Sequence, residues 1–130
     1  MKAAFVDSSA LVALALGEKT ARSLAKLLAG YDQLLASTLL EAELRAALRR
    51  EGVDDPPERL LAALRWIHPP RPLSAELRRV LAAGALRGAD AWHLASALFV
   101  AEPAGIDLLT LDERQGEVAR RLGFRVLPDS

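Results

Sequence analysis

The chain has 130 residues, 52% of them hydrophobic, which is the size of one ordinary domain and enough apolar content for a continuous core. Cysteine is absent, which excludes a disulfide framework, thiolate zinc sites and a cysteine nucleophile and gives no reason to place the protein outside the cytoplasm. The 17 basic and 17 acidic residues cancel, so no global positive field advertises nucleic acid and any RNA contact must be local.

Residues Ala3 to Val6 form a short apolar run that stops at Asp7, and a helical stretch from Ala10 to Leu16 follows two serines suited to N-capping. The segment from Met1 to Lys19 has the outline of a signal peptide, but Asp7 interrupts its apolar run, so it reads as structure. No stretch of the chain approaches the roughly 20 apolar residues of a membrane span. A second helix is predicted over Thr20 to Ala29 with Gly30 as its stop, then an apolar strand Leu34-Leu35-Ala36, and after Ser37-Thr38 a helix to about Arg50. Gly52 and the Pro56-Pro57 pair mark a loop before a helix predicted over Glu58 to Trp66, and His68 to Pro72 is another break. Helices over Ser74 to Ala85 and Ala89 to Val100, a strand Asp107 to Leu111, a helix Glu113 to Leu122 and a closing strand Phe124 to Leu127 complete the order. Strands alternating with helices predict an α/β domain with a mainly parallel sheet covered by helices on both faces, in one unit spanning residues 1–130. Ligands of such sheets bind beyond the carboxyl ends of the strands, which is where Asp7 and Asp112 stand.

Each acidic residue has a structural explanation to set beside a chemical one. Asp7 could start a turn, Asp112 with Gln115 fits an acidic variant of the capping box, and Asp90 lies in the first turn of a helix, where the dipole favours an anion. The helix that carries Asp90 is apolar almost all round, however, and a buried anion needs a cation or several donors beside it. Thr38 and Glu41 have capping-box spacing. Glu43 has no such role: the apolar positions of its helix average to a direction about 25° from Glu43 and about 135° from Glu41. A core-facing glutamate is costly unless paired or metal-bound. Hard divalent cations take oxygen ligands and activate water for phosphodiester hydrolysis. With no cysteine and only two histidines, zinc is unattractive. His68 precedes a proline pair, and His93, one turn after Asp90, reads as a hydrogen-bonded packing residue.

These residues resemble a known family, the PIN-domain ribonucleases, and in particular the toxins of the virulence-associated VapBC type. The resemblance covers nearly the whole chain and rests on four segments: Phe5-Val6-Asp7-Ser8-Ser9-Ala10-Leu11-Val12, Ala42-Glu43-Leu44, the run Leu86 to Ala95 around Asp90, and Leu109-Thr110-Leu111-Asp112 with the helix end at Ala119 to Gly123. Trp92 departs from the smaller aliphatic residue common there. The resemblance implies a PIN-like parallel sheet of four or five strands flanked by helices. It also implies an acidic site for Mg²⁺ or Mn²⁺ formed by Asp7, Glu43, Asp90 and Asp112, with Ser9 and Thr110 as supporting hydroxyls, and endonucleolytic cleavage of RNA. A homodimer and an antitoxin partner are implied as well. Arg45, Arg49, Arg50 and Arg87 are close to these acids in sequence and are candidates for phosphate contacts, against the alternative of a solvated helix face for the first three. A non-catalytic PIN-like module binding RNA or protein is the competing reading, although such modules tend to lose acids. A phosphatase of the kind with a second Asp two residues after the nucleophile has Ser9 in its way, and a receiver domain would want a late lysine where the last here is Lys26.

Overall fold

The computed structural model describes residues 1–128 and contains a five-stranded sheet with strands in the order β3-β2-β1-β4-β5, where β1 is Ala3–Val6, β2 Gln33–Ser37, β3 Leu64–Ile67, β4 Asp107–Leu109 and β5 Arg125–Leu127. All four pairings are parallel, with Phe5 opposite both Leu35 and Leu108 at the centre. The helices are α1 Ser8–Leu16, α2 Ala21–Ala29, α3 Leu40–Arg50, α4 Glu58–Ala62, α5 Ser74–Ala83, α6 Gly88–Val100 and α7 Glu113–Leu122. Among the described residues no helix is long and apolar enough to cross a membrane.

Alternation along the strands builds two cores. Phe5, Leu35, Leu108 and Val126 face α5, α6 and α7, meeting Val80, Leu94 and Val118. Ala4, Val6, Ala36, Leu64, Leu109 and Leu127 face the other way, against Leu11, Leu40, Leu44, Leu48 and Leu61. A side chain such as Phe5 or Leu108, wholly shielded from solvent, contributes on the order of 1.5–3 kcal/mol relative to exposure. Two glycines are demanded by geometry. Gly123 ends α7 with φ +103°, donating to the carbonyls of Ala119 and Arg120. Gly84 stands where a Cβ would come within 2.7 Å of Val118 Cγ2, so α7 can close on the end of α5.

Several local expectations are corrected. The helix predicted over Glu58 to Trp66 stops at Ala62, and Leu64–Ile67 instead pairs with Leu34–Ser37 as an edge strand. Trp66 and Ile67 suit a pleated surface, and pairing with β2 overrides the short helical pattern. Thr38 and Glu41 form no capping box: Leu39 occupies the N-cap of α3, its N–H donates to Ser37 Oγ, and Glu41 pairs with Arg45. Nor do Ser8 and Ser9 cap α1, since Ser8 is already helical and Asp7 takes the N-cap position without a side-chain cap bond.

The chain runs β1, β2, β3 toward one edge and returns through β4 and β5 to the other, so the order reverses between β1 and β4. Loops leaving those two strands diverge to opposite faces, and a crevice opens at their carboxyl ends.

Candidate active site

Asp7 leaves β1 at this crevice, its backbone N–H donating to Leu109 O at 2.9 Å, and its side chain is almost wholly buried at 2% exposure. Two hydroxyls donate to the same oxygen, Oδ2: Ser9 Oγ at 2.8 Å and Thr110 Oγ1 at 2.7 Å. This pair of donors fixes the orientation of the Asp7 carboxylate. The same hydroxyls accept from the next loop, Ser9 from Leu111 N at 2.9 Å and Thr110 from Asp112 N at 3.0 Å. Ser9 and Thr110 therefore fasten the loop after β4 to the acid after β1.

Asp112 caps α7, Oδ1 accepting from Gln115 N at 2.9 Å. Gln115, itself buried, reaches back toward Asp90 O at 3.4 Å, while its own Oε1 has no partner among the described residues. Asp90 sits in the first turn of α6. Burial raises its carboxyl pKa above the ordinary value, and the charges of Asp7, Asp112 and Glu43 add to the rise while His93 opposes it.

Glu43, on the first turn of α3, turns toward α6, where His93 Nε2 lies 2.5 Å from its Oε1. That bond is the main reason its pKa is lowered; burial works against it, and the charge of His93 and the Ser8 hydroxyl assist. His93 is fully enclosed, with Nδ1 2.6 Å from Ser37 Oγ and Nε2 3.9 Å from Asp7 Oδ1. Its burial would lower the imidazole pKa, yet the bond to Glu43 and the charges of Asp7, Glu43 and Asp90 together raise it. Glu41, two residues before Glu43, is half-exposed and bound to Arg45 at 2.8 Å.

Asp7, Glu43, Asp90 and Asp112 all line one cavity of about 650 Å³, together with Ser9 and Arg50. Glu18, at the end of the α1 loop, also lines it and was not singled out by its sequence context. Asp90 and Asp112 form the edge shared with an adjoining cavity of about 420 Å³ that carries Arg87 and Arg114. Arg114 Nε donates to Ala85 O at 2.9 Å, which anchors it there. The structure places Arg45 and Arg49 elsewhere, around a cavity beside the loop at Gly52 to Pro57, with Arg45 held between Glu41 and Glu58. Arg114 and Ser37 were missed in the sequence: one lies after the acidic motif and the other at a strand end, and only the tertiary structure brings Arg114 to the cavity edge and Ser37 against His93.

The donor set suits a hard divalent cation by type and charge: every candidate ligand is a carboxylate oxygen, and four carboxylates line one cavity, a crowding of like charges that a dication would relieve. It is not closed around a point, since among the described residues no group of three or more Asp, Glu or His side chains stands in a geometry that would hold an ion as it is.

A family model described as a PIN domain matches residues 4–121. Two relatives from Mycobacterium tuberculosis, Ribonuclease VapC45 of strain CDC 1551 / Oshkosh and Ribonuclease VapC49 of strain ATCC 25618 / H37Rv, are each 36% identical over 141 aligned positions, covering 98% of this chain and 96% of their own. Among solved structures, PAE2754 from Pyrobaculum aerophilum has a TM-score of 0.64, covering 97% of this chain and 89% of its own; at 24% identity the likeness is one of fold.

Proposed function

The chain belongs to the PIN-domain family, and on that premise we propose that it is an endoribonuclease of the VapC type, the toxin of a toxin–antitoxin pair. It hydrolyses RNA phosphodiesters with Mg²⁺ or Mn²⁺ held by Asp7, Glu43, Asp90 and Asp112. The whole chain makes one PIN domain, working in the cytoplasm as a homodimer that its antitoxin silences. The observation that carries this is the meeting of four acids from four separate segments around one cavity at the switch point of the sheet.

When bound, such a cation polarises the phosphodiester and lowers the pKa of water. Asp7 is the fixed carboxylate, held in place by two hydroxyl donors. Asp112 spends one oxygen on Gln115 N, which orients the carboxylate. Arg50 borders the acid cavity, and Arg87 and Arg114 stand beyond the Asp90–Asp112 edge, so an RNA strand crossing the acids meets cations on both sides. Backbone contacts of this kind position the strand without reading its bases.

The test is cleavage of a fluorescent single-stranded RNA with Mn²⁺, with Mg²⁺ and with EDTA, for the wild type and for an Asp7→Asn/Asp90→Asn double variant. Cleavage should require the metal and vanish in the variant. Cleavage persisting in EDTA, or in the double variant at the wild-type rate, would overturn the proposal.

A further inference from the structure

We propose that Ser37 and His93 are positioning residues that aim the Glu43 carboxylate into the cavity. This rests on the reading of Glu43 as a member of the site. The three side chains come from three elements, β2, α6 and α3, and form one continuous chain from a strand end to the cavity. Ser37 and His93 are both fully shielded from solvent, so a polar atom in either that lacks a partner within the protein is costly.

With the ring neutral, that cost fixes where the protons lie, and a protonated ring keeps the same Nε2–H donation to Glu43. Ser37 Oγ accepts from Leu39 N–H at 3.2 Å. Its hydroxyl carries a single proton, and among the described residues the acceptor within reach is His93 Nδ1 at 2.6 Å. With Nδ1 accepting, the proton of the neutral ring is on Nε2, which donates to Glu43 Oε1 at 2.5 Å and faces Asp7 Oδ1 at 3.9 Å. The opposite tautomer would aim a lone pair at two carboxylates and leave a buried hydroxyl proton without an acceptor. Ser37 thus selects the tautomer, and the tautomer selects the Glu43 rotamer. One oxygen of Glu43 is held by His93 while its side chain still lines the cavity and is 34% exposed. Partners behind a ligating group orient it in this way, and their loss costs about 10–100-fold in metal affinity or activity.

Two amide replacements separate positioning from packing. In His93→Gln the amide nitrogen reaches about as far as Nε2 and can still donate to Glu43. In His93→Asn the shorter amide reaches about as far as Nδ1, keeping Ser37 and abandoning Glu43. Both put a polar amide into the same buried space. Mn²⁺ affinity by calorimetry, kcat and KM on the fluorescent RNA, and melting in EDTA are compared with wild type. The Asn variant should bind Mn²⁺ about 10–100-fold more weakly and lose kcat with little change in the KM for RNA, while the Gln variant stays severalfold closer to wild type. Equal Mn²⁺ affinity in two folded variants would overturn the proposal.

Ser37→Ala supplies a readout that does not depend on those folds. Nitrogen NMR of the ring, at a pH where it is neutral, should show Nε2–H in the wild type and a shift toward mixed tautomers in Ser37→Ala. A wild-type ring protonated on Nδ1, or a Ser37→Ala ring unchanged from wild type, would overturn it. Failure of the wild type itself to bind Mn²⁺ or cut RNA would refute the proposed function, and the ring measurement would still decide the relay.

Discussion

Glu41 and Glu43 are two residues apart and should respond oppositely to the same change. Glu41→Gln loosens an ion pair whose partners are 45% and 46% exposed, and Arg45 keeps its bond to Glu58. Such exposed pairs contribute little because solvent screens them, so neither melting nor cleavage should change appreciably. Glu43→Gln preserves volume and an acceptor for His93 but removes the charge. It should cost the metal-free fold modestly, because the bond to His93 that lowers the Glu43 pKa is weakened, and cost the metal response much more. At a Mn²⁺ concentration about 100 times the dissociation constant, binding stabilises the fold by about 2.7 kcal/mol. A roughly tenfold weaker site at the same concentration keeps about half of that, near 1.4 kcal/mol. For a chain of this length 1 kcal/mol is about 3–5 °C of melting temperature, so a metal-induced rise of about 10 °C should shrink to about 5 °C. The assay is differential scanning fluorimetry of wild type and both variants in EDTA and in Mn²⁺, with RNA cleavage alongside. A Glu43→Gln protein with the wild-type Mn²⁺ shift and rate, or a Glu41→Gln protein that melts normally and does not cleave, would refute the assignment.

Asp90→Asn should leave metal-free melting unchanged or higher, because its carboxyl is crowded by Asp7, Asp112 and Glu43, and should diminish the Mn²⁺ shift; a destabilised metal-free protein would contradict it. Arg50→Ala and Arg87→Ala should raise the KM for RNA and flatten its salt dependence while Arg45→Ala does neither, checked by rates across a salt series. Tyr31 OH donates to Asp107 at 2.6 Å at the opposite end of the sheet, so Tyr31→Phe should cost about 1.5–3 kcal/mol, the range for a bond to a charged group, by urea titration without altering cleavage. Burial first and then that bond raise the Tyr31 pKa, so its contribution is full below the unfolded value of 10.0 and is lost as pH rises through the folded one, a loss absent from Tyr31→Phe. In metal-free protein, stability from Glu43 is full above 4.5 and lost as pH falls through its lowered pKa, whereas that from His93 is full below 6.5 and lost as pH rises through its raised pKa. Both contributions are full between 4.5 and 6.5, and His93→Gln should abolish the part of the decline that sets in above 6.5, leaving the losses due to Asp90 and Tyr31 in place.

Much of this protein is local chemistry and was legible in the sequence. Apolar runs ending at Asp7 and near Asp112 marked strand ends, Gly123 marked a helix stop, and the helical period separated Glu43 from Glu41, because these signals depend only on neighbours a few residues away. Pairing is not local. Leu64–Ile67 became a strand because β2 offers it an edge, and Ser37, rather than Thr38, took the N–H at the start of α3 because the strand end turns it inward. The crevice depends on the order of strands, which no window of sequence contains, and so do the placement of Arg114 beside Asp90 and the burial of His93 between Ser37 and Glu43. The sequence determined which acidic, basic and hydroxyl side chains were available to build a site. Only the fold decided which of them share a cavity, since hydrogen bonds and charges act over a few ångströms and residues 37, 43 and 93 meet at that range only after β2, α3 and α6 have packed.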